Sequence, residues 1–150
     1  MWSGPAATQA FLAAFILQAS LAAPAASQEG PGAAGPAIRI ELNALQPTEG
    51  GCRFTFVATN GLETDISKAA YEVVLFDTAG VVERLTVLDF QDLPAGRTRV
   101  RQFALRNADC EKISRVLVND ATACEGEGLD PAVCSGRLET STRSAVVFSG

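Results

Sequence analysis

The 150-residue chain predicts an all-β fold, an antiparallel β-sandwich of about seven strands. Three observations carry that expectation. Apolar and polar residues alternate with period two in short segments, as strands with one buried face require. Turn signals separate those segments: Asn60-Gly61, Thr78-Ala79-Gly80 and Leu93-Pro94-Ala95-Gly96. Helical periodicity is almost absent from Ile38 onward, and only Leu62 to Ala70 reads as able to hold a helical turn.

The strands follow in order. Ile38, Ile40 and Leu42 alternate with Arg39 and Glu41, giving the first. Cys52, Phe54 and Phe56 alternate with Arg53, Thr55 and Val57, giving a second that stops at Asn60-Gly61. Tyr71 to Asp77 (YEVVLFD) is denser in apolar residues, as a central strand covered on both faces should be. A tight turn at Thr78-Ala79-Gly80 leads into Val81–Phe90. There Leu85 and Val87 share one phase while Leu88 and Phe90 share the other, so a β-bulge or a crossing between sheets is expected within it. In the next turn Pro94 sets its own φ and Gly96 accepts a positive one. Further strands are expected at Thr98–Arg106, Ile113–Asn119 and Leu138–Phe148.

The organisation ahead of the strands is of another kind. Ala10 to Ala26 (AFLAAFILQASLAAPAA) holds an apolar run of about fourteen residues, the length of a signal-peptide core and short of the roughly twenty that span a bilayer. Ala23 and Ala25 supply small residues at −3 and −1, so cleavage is expected after Ala25, with Ser27 nearly as good. No Lys or Arg precedes the run, and no Cys near the cut could carry a lipid. The expected layout is a signal peptide over 1–25, a flexible Gly/Pro/Ala linker over 26–37 and a sandwich over 38–150, with no membrane anchor after cleavage. Arg far outnumbers Lys and Ala is abundant, which points to a GC-rich bacterial genome and a periplasmic or secreted destination.

The stretch VVLFD (Val73–Asp77), then Gly80, then LPAG (Leu93–Gly96) and Phe103 resembles the FxLYD-type immunoglobulin-like domains of exported bacterial proteins. In them an aromatic-Asp strand end, a D-x-x-G turn and a Pro-Gly turn recur in this order. The overall layout also resembles small exported proteins of alphaproteobacteria. The resemblance covers about Cys52 to Leu105. It implies an immunoglobulin-like sandwich and brings no catalytic residue.

Export makes disulfides the default for the four cysteines, Cys52, Cys110, Cys124 and Cys134. Three pairings are open to four cysteines. If the Phe54 strand pairs antiparallel with Thr98–Arg106, Cys52 lies beside Cys110, and Cys124 and Cys134 then close the local loop CEGEGLDPAVC. The close Cys pairs of structural zinc sites and the C-x-x-C of redox motifs are both lacking.

Other chemistry is bounded by composition. The chain has no His, so no Ser-His-Asp or Cys-His nucleophile and no His-ligated metal is expected, and no cofactor. Paired carboxylates could serve a small hydrolase. Asp77, Asp89 and Asp92 sit at strand ends, however, where turn formation is the commoner role. Twelve basic against seventeen acidic side chains argue against nucleic acid as a partner. Two surface elements are candidates for contact with a protein or an envelope component. Arg97, Arg99 and Arg101 lie at spacing two and would share one strand face, where ordinary cross-strand pairing, with Glu72 or Glu83 for example, competes with partner binding. Glu125, Glu127 and Asp130 lie on the Gly-rich loop inside the small disulfide ring. They read as a solvated acidic loop or a protruding contact, and lack the EF-hand spacing for Ca²⁺. The expected function is that of a non-enzymatic binding or accessory module. A carboxylate-dependent periplasmic hydrolase and an inhibitor of an exported enzyme are the alternatives.

Overall fold

The computed structural model describes residues 1–4 and 35–150. The rest of the expected signal peptide, and the expected linker up to residue 34, lie outside the described residues. The elements are β1 (Ile38–Thr48), β2 (Gly51–Asn60), β3 (Ile66–Asp77), β4 (Val82–Leu93), β5 (Thr98–Arg106), a 3-10 turn (Cys110–Lys112), β6 (Ile113–Glu125), α1 (Pro131–Gly136), β7 (Leu138–Thr142) and β8 (Val147–Ser149). They build two four-stranded sheets, ordered β5-β2-β1-β7 and β4-β3-β6-β8. The all-β sandwich is the architecture that the alternation predicts.

One core lies between the sheets because each strand turns one phase inward. Ile38, Ile40 and Leu42 of β1 and Phe54 and Phe56 of β2 meet Tyr71, Val73 and Leu75 of β3 and Leu88 and Phe90 of β4. Its centre is aromatic. Phe90 lies 5.5 Å from Phe56, 5.8 Å from Tyr71 and 5.2 Å from Phe103 between ring centroids, all edge-on, the arrangement that ring quadrupoles favour. Asp77 closes the β3–β4 turn, its Oδ1 accepting from the N–H groups of Ala79 and Val81, while Gly80 takes a φ of +77°.

The cysteines pair as the strand topology implies. β2 runs antiparallel to β5 with Cys52 opposite Leu105, and Cys52 is bonded to Cys110 just beyond the end of β5. Cys124 is bonded to Cys134, which ties the end of β6 to α1.

Four features differ from the sequence expectation. Leu62–Ala70 is not helical: β3 already begins at Ile66, and the helix is α1. Asp130 caps it, accepting from the Val133 N–H at 2.9 Å, with Pro131 behind the cap, a start signal written as Asp-Pro in the sequence. Second, Val81–Phe90 contains no slip at Leu85–Phe90. β4 pairs with β3 in unbroken register from Arg84 to Asp89, so Leu85 and Val87 stand on the outer face while Leu88 and Phe90 stand on the inner one. The expected bulge does occur, but at the ends of the segment: the register shifts at Glu83, between Val82 and Arg84, and again at Phe90–Gln91, where Gln91 has a φ of +62° and its N–H is held by Asp89 Oδ1. Third, Leu138–Phe148 is two strands rather than one. β7 joins the first sheet and β8 the second, each parallel to its neighbour, so the sandwich is not wholly antiparallel and has eight strands. Thr142 Oγ1 and Ser144 Oγ, both donating to the Val146 carbonyl, turn the chain between sheets, and Arg143 anchors the switch by donating to Glu41 at 3.0 Å. Asn43 and this Arg143 hold the Glu41 carboxyl below its ordinary range. Fourth, β6 runs six residues past the expected Asn119, to Glu125.

Candidate functional site

Buried polar side chains are rare here, so the one deep in the sandwich end marks a built feature. Asn60 is fully buried at the end of β2. Its Nδ2 donates to the carbonyls of Thr64 (2.9 Å) and Leu93 (2.8 Å), and its Oδ1 accepts from the Leu62 N–H (2.9 Å). Its main chain completes the set, accepting from Gly96 and donating to Arg97. A single amide therefore pins the β2–β3 loop to the β4–β5 turn with both its N–H donors and its oxygen engaged.

That loop is one wall of a cleft of about 610 Å³. Gly61, Leu62, Glu63 and Thr64 come from the Asn60-held loop, and Gly35, Pro36 and Arg39 from the start of the domain. Leu129, Val133 and Arg137 come from the disulfide loop and α1. Gly61 is required where it stands, since a Cβ there would lie 2.6 Å from the Ala37 carbonyl oxygen. The opposite wall is held just as firmly. Cys134 is fully buried in its disulfide, Asp130 caps α1, and the Tyr71 hydroxyl donates to the Cys134 carbonyl at 3.4 Å. The cleft thus joins half-buried aliphatic side chains, Leu62, Leu129 and Val133, to two guanidinium groups. Arg39 donates to the Gly35 carbonyl and pairs with Glu139 at 2.9 Å, and Arg137 is exposed and donates to the Pro36 carbonyl at 3.4 Å. Glu63 is the one carboxylate in the lining.

The structure separates the arginines singled out by spacing. Arg97 belongs to the turn before β5. Arg99 and Arg101 lie on the inner phase of β5, in line with Phe103 and Leu105, rather than on an outward basic strip. They reach the edge strand of the other sheet. Arg101 Nε donates to the Phe90 carbonyl at 2.6 Å and its terminal nitrogen to the Asp92 carbonyl at 2.9 Å, and both arginines pair with the Asp92 carboxylate, at 3.1 and 3.6 Å. Arg84 returns the favour from β4 by donating to the Arg106 carbonyl at 2.8 Å. The partner of Arg99 and Arg101 is therefore Asp92, while Arg84 lies 3.5 Å from Glu83. Inward charges of this kind close a sandwich edge against further strands.

On the disulfide loop, Glu125 and Glu127 are exposed and Asp130 is spent on the helix cap. Among the described residues no group of three His, Cys, Asp or Glu side chains is placed to share an ion. The functional neighbourhood of that loop lies instead in its apolar members, Leu129 and Val133, which the sequence reading passed over. The Leu-Asp-Pro start of α1 was the signal that could have found them. The chain matches no protein-family model, no curated protein and no solved structure.

Proposed function

We propose that this protein is an exported, non-enzymatic binding or accessory module of immunoglobulin-like type. Its cleft receives an extended segment of a protein or envelope component. The observation that carries this reading is the cleft itself: aliphatic walls and two arginines, framed by two loops that a buried Asn and a disulfide hold rigid. Sites of recognition are commonly loops on a stiff scaffold, with a few polar groups set around an apolar floor. The segment it suits carries an apolar group for Leu62, Leu129 and Val133 and an anionic group for Arg137. A hydrolase of the two-carboxylate kind finds less support, because the cleft lining holds one carboxylate where that chemistry needs a facing pair. Two disulfides favour an oxidising compartment, in keeping with an exported module.

In-cell photocrosslinking tests this directly. A photoreactive residue at Val133 should give discrete adducts in the periplasm, and Arg137→Glu should weaken them several-fold. The same residue at Val100, on the outer face of β5, should not give them. Equal crosslinking at Val133 and Val100 would overturn the reading.

A further inference from the structure

We propose that Asn60-Gly61 is a self-modification site that the folded domain keeps switched off. In the open chain the Gly61 nitrogen converts the Asn60 side chain to a cyclic imide, and the product can no longer build the cleft wall. This holds whether or not the cleft takes a partner.

The chemistry is set by the dipeptide. Of Asn43, Asn60, Asn107 and Asn119, only Asn60 precedes a Gly. Gly has no side chain to crowd its own nitrogen, and its backbone turns freely, so Asn-Gly is the asparagine pair that cyclises most readily. The Gly61 nitrogen loses its proton to the medium and adds to Asn60 Cγ. The new N–Cγ bond forms as the Cγ–Nδ2 bond breaks, and Nδ2 leaves as ammonia with a proton from water. A second water then opens the ring at either carbonyl. One opening leaves an aspartate at position 60. The other leaves an isoaspartyl link, in which the main chain runs through the former side chain. Water is the one co-reactant.

The fold withholds each motion that this step needs. Ring closure must swing the Gly61 nitrogen over the Asn60 side chain by turning the peptide between them. That peptide is held at both of its polar atoms: the Asn60 carbonyl accepts from the Gly96 N–H at 2.8 Å, and the Gly61 N–H donates to the Ala37 carbonyl at 2.8 Å. Asn60 is moreover an extended residue of β2, paired with Ile38 of β1. The leaving group is held as well, since Nδ2 donates to the carbonyls of Thr64 and Leu93. The Leu62 N–H draws electrons from the side-chain carbonyl, but with the nucleophile tied down that activation has nothing to act on. Full burial keeps water away from both steps.

The same contacts explain why a reactive pair stands here. A Cβ on residue 61 would lie 2.6 Å from the Ala37 carbonyl oxygen and 2.9 Å from Arg39 Nη1, so the position takes Gly. Position 60 needs two donors and an acceptor on one short side chain, which is the inventory of Asn. The structure therefore demands both residues and protects them only once it has formed. Conversion closes the way back. A carboxylate cannot donate to the Thr64 and Leu93 carbonyls and would be buried charged. An isoaspartyl link lengthens the main chain between the N–H that donates to Arg97 and the carbonyl that accepts from Gly96. Time spent unfolded, such as the interval before the four cysteines pair, is thus recorded irreversibly at one residue.

Peptide mass mapping of two samples in the same mildly alkaline buffer tests this. One is the full protein purified without reductant, and the other is the same protein reduced and unfolded in guanidinium chloride. The unfolded chain should convert Asn60 to aspartate and isoaspartate at least about a hundred-fold faster than the native protein, where reaction waits for the loop to open. Asn43, Asn107 and Asn119 should remain amides over that time. Gly61→Ala, compared in the unfolded state where its fit to the fold is irrelevant, should slow the conversion several-fold. When the aged mixture is returned to native buffer and re-oxidised, chains converted at position 60 should be depleted several-fold from the folded fraction. Equal rates in the two samples, an Asn60 that survives unfolding, loss of all four amides alike, or a folded fraction as rich in converted chains as the mixture would each overturn the proposal.

Discussion

Asn60 shows how much one amide can organise. Replacing it with Ala leaves the Leu62 N–H and the carbonyls of Thr64 and Leu93 without their partners in a buried setting. Each such orphan costs about 1 to 3 kcal/mol, so Asn60→Ala should destabilise the domain by about 3 kcal/mol in a denaturant titration. Asn60→Asp should cost at least as much, because a carboxylate cannot donate to either carbonyl and would be buried charged. A loss under 1 kcal/mol would mean that the loop holds itself. Tyr71 gives a second test at this scale. Burial in the core raises its phenol pKa from the ordinary 10.0. The unfolded chain therefore releases the proton first. Stability is full below about pH 10 and falls as the pH climbs through that value toward the folded one. Tyr71 is the sole Tyr, so phenolate absorbance reports it alone. Native protein at about pH 11 should show little phenolate while the guanidinium-unfolded chain is mostly ionised. Coincident titrations would refute the buried placement.

The disulfides belong to the scale of elements, because each ties one element to another. Cys52–Cys110 spans 58 residues and holds the start of β2 to the 3-10 turn after β5, while Cys124–Cys134 spans 10 and holds β6 to α1. In the chain-entropy model the first is worth about 4 kcal/mol and the second about 2.7 kcal/mol. Replacing both cysteines of a bridge by Ser should therefore lower stability more for Cys52–Cys110. Only loss of Cys124–Cys134 should loosen the cleft wall carrying Val133, seen as faster amide exchange confined to 126–137. Equal exchange in both variants would count against that division. Elements are also where the sequence was most and least legible. Ile38–Leu42, Cys52–Phe56 and Thr98–Arg106 alternate cleanly because one face is core and the other is solvent, and pairing of the last two placed Cys52 beside Cys110. In Val81–Phe90 the bulge was misplaced because Leu85 and Val87 are apolar on an open face, which alternation alone reads as a slip. Leu138–Phe148 hid a change of sheet, since its cause is a hydrogen-bonded turn at Thr142–Val146 rather than a Gly or Pro. The cleft was illegible for a related reason: its residues come from three separate segments, and Asn60 read only as the end of a strand.

For the whole molecule, the two ends of the sandwich edge problem are handled differently. On one side the arginines of β4 and β5 cap each other's edge carbonyls. On the other, β7 and β8 are short, five and three residues. A domain closed by two disulfides suits an oxidising compartment. The proposed export carries a spectroscopic consequence. Trp2 is the sole Trp of the chain and lies within the expected signal peptide. If processing follows Ala25 or Ser27, the exported protein keeps Tyr71 and loses every indole. Protein taken from the periplasm of an expressing bacterium should therefore show tyrosine emission only, an intact mass beginning at Ala26 or Gln28, and no free thiol under denaturing conditions. Indole emission from that fraction would mean that the apolar run is retained, and free thiols would mean that the four cysteines never met an oxidising compartment. The two readouts are independent, so together they separate an error about processing from an error about destination.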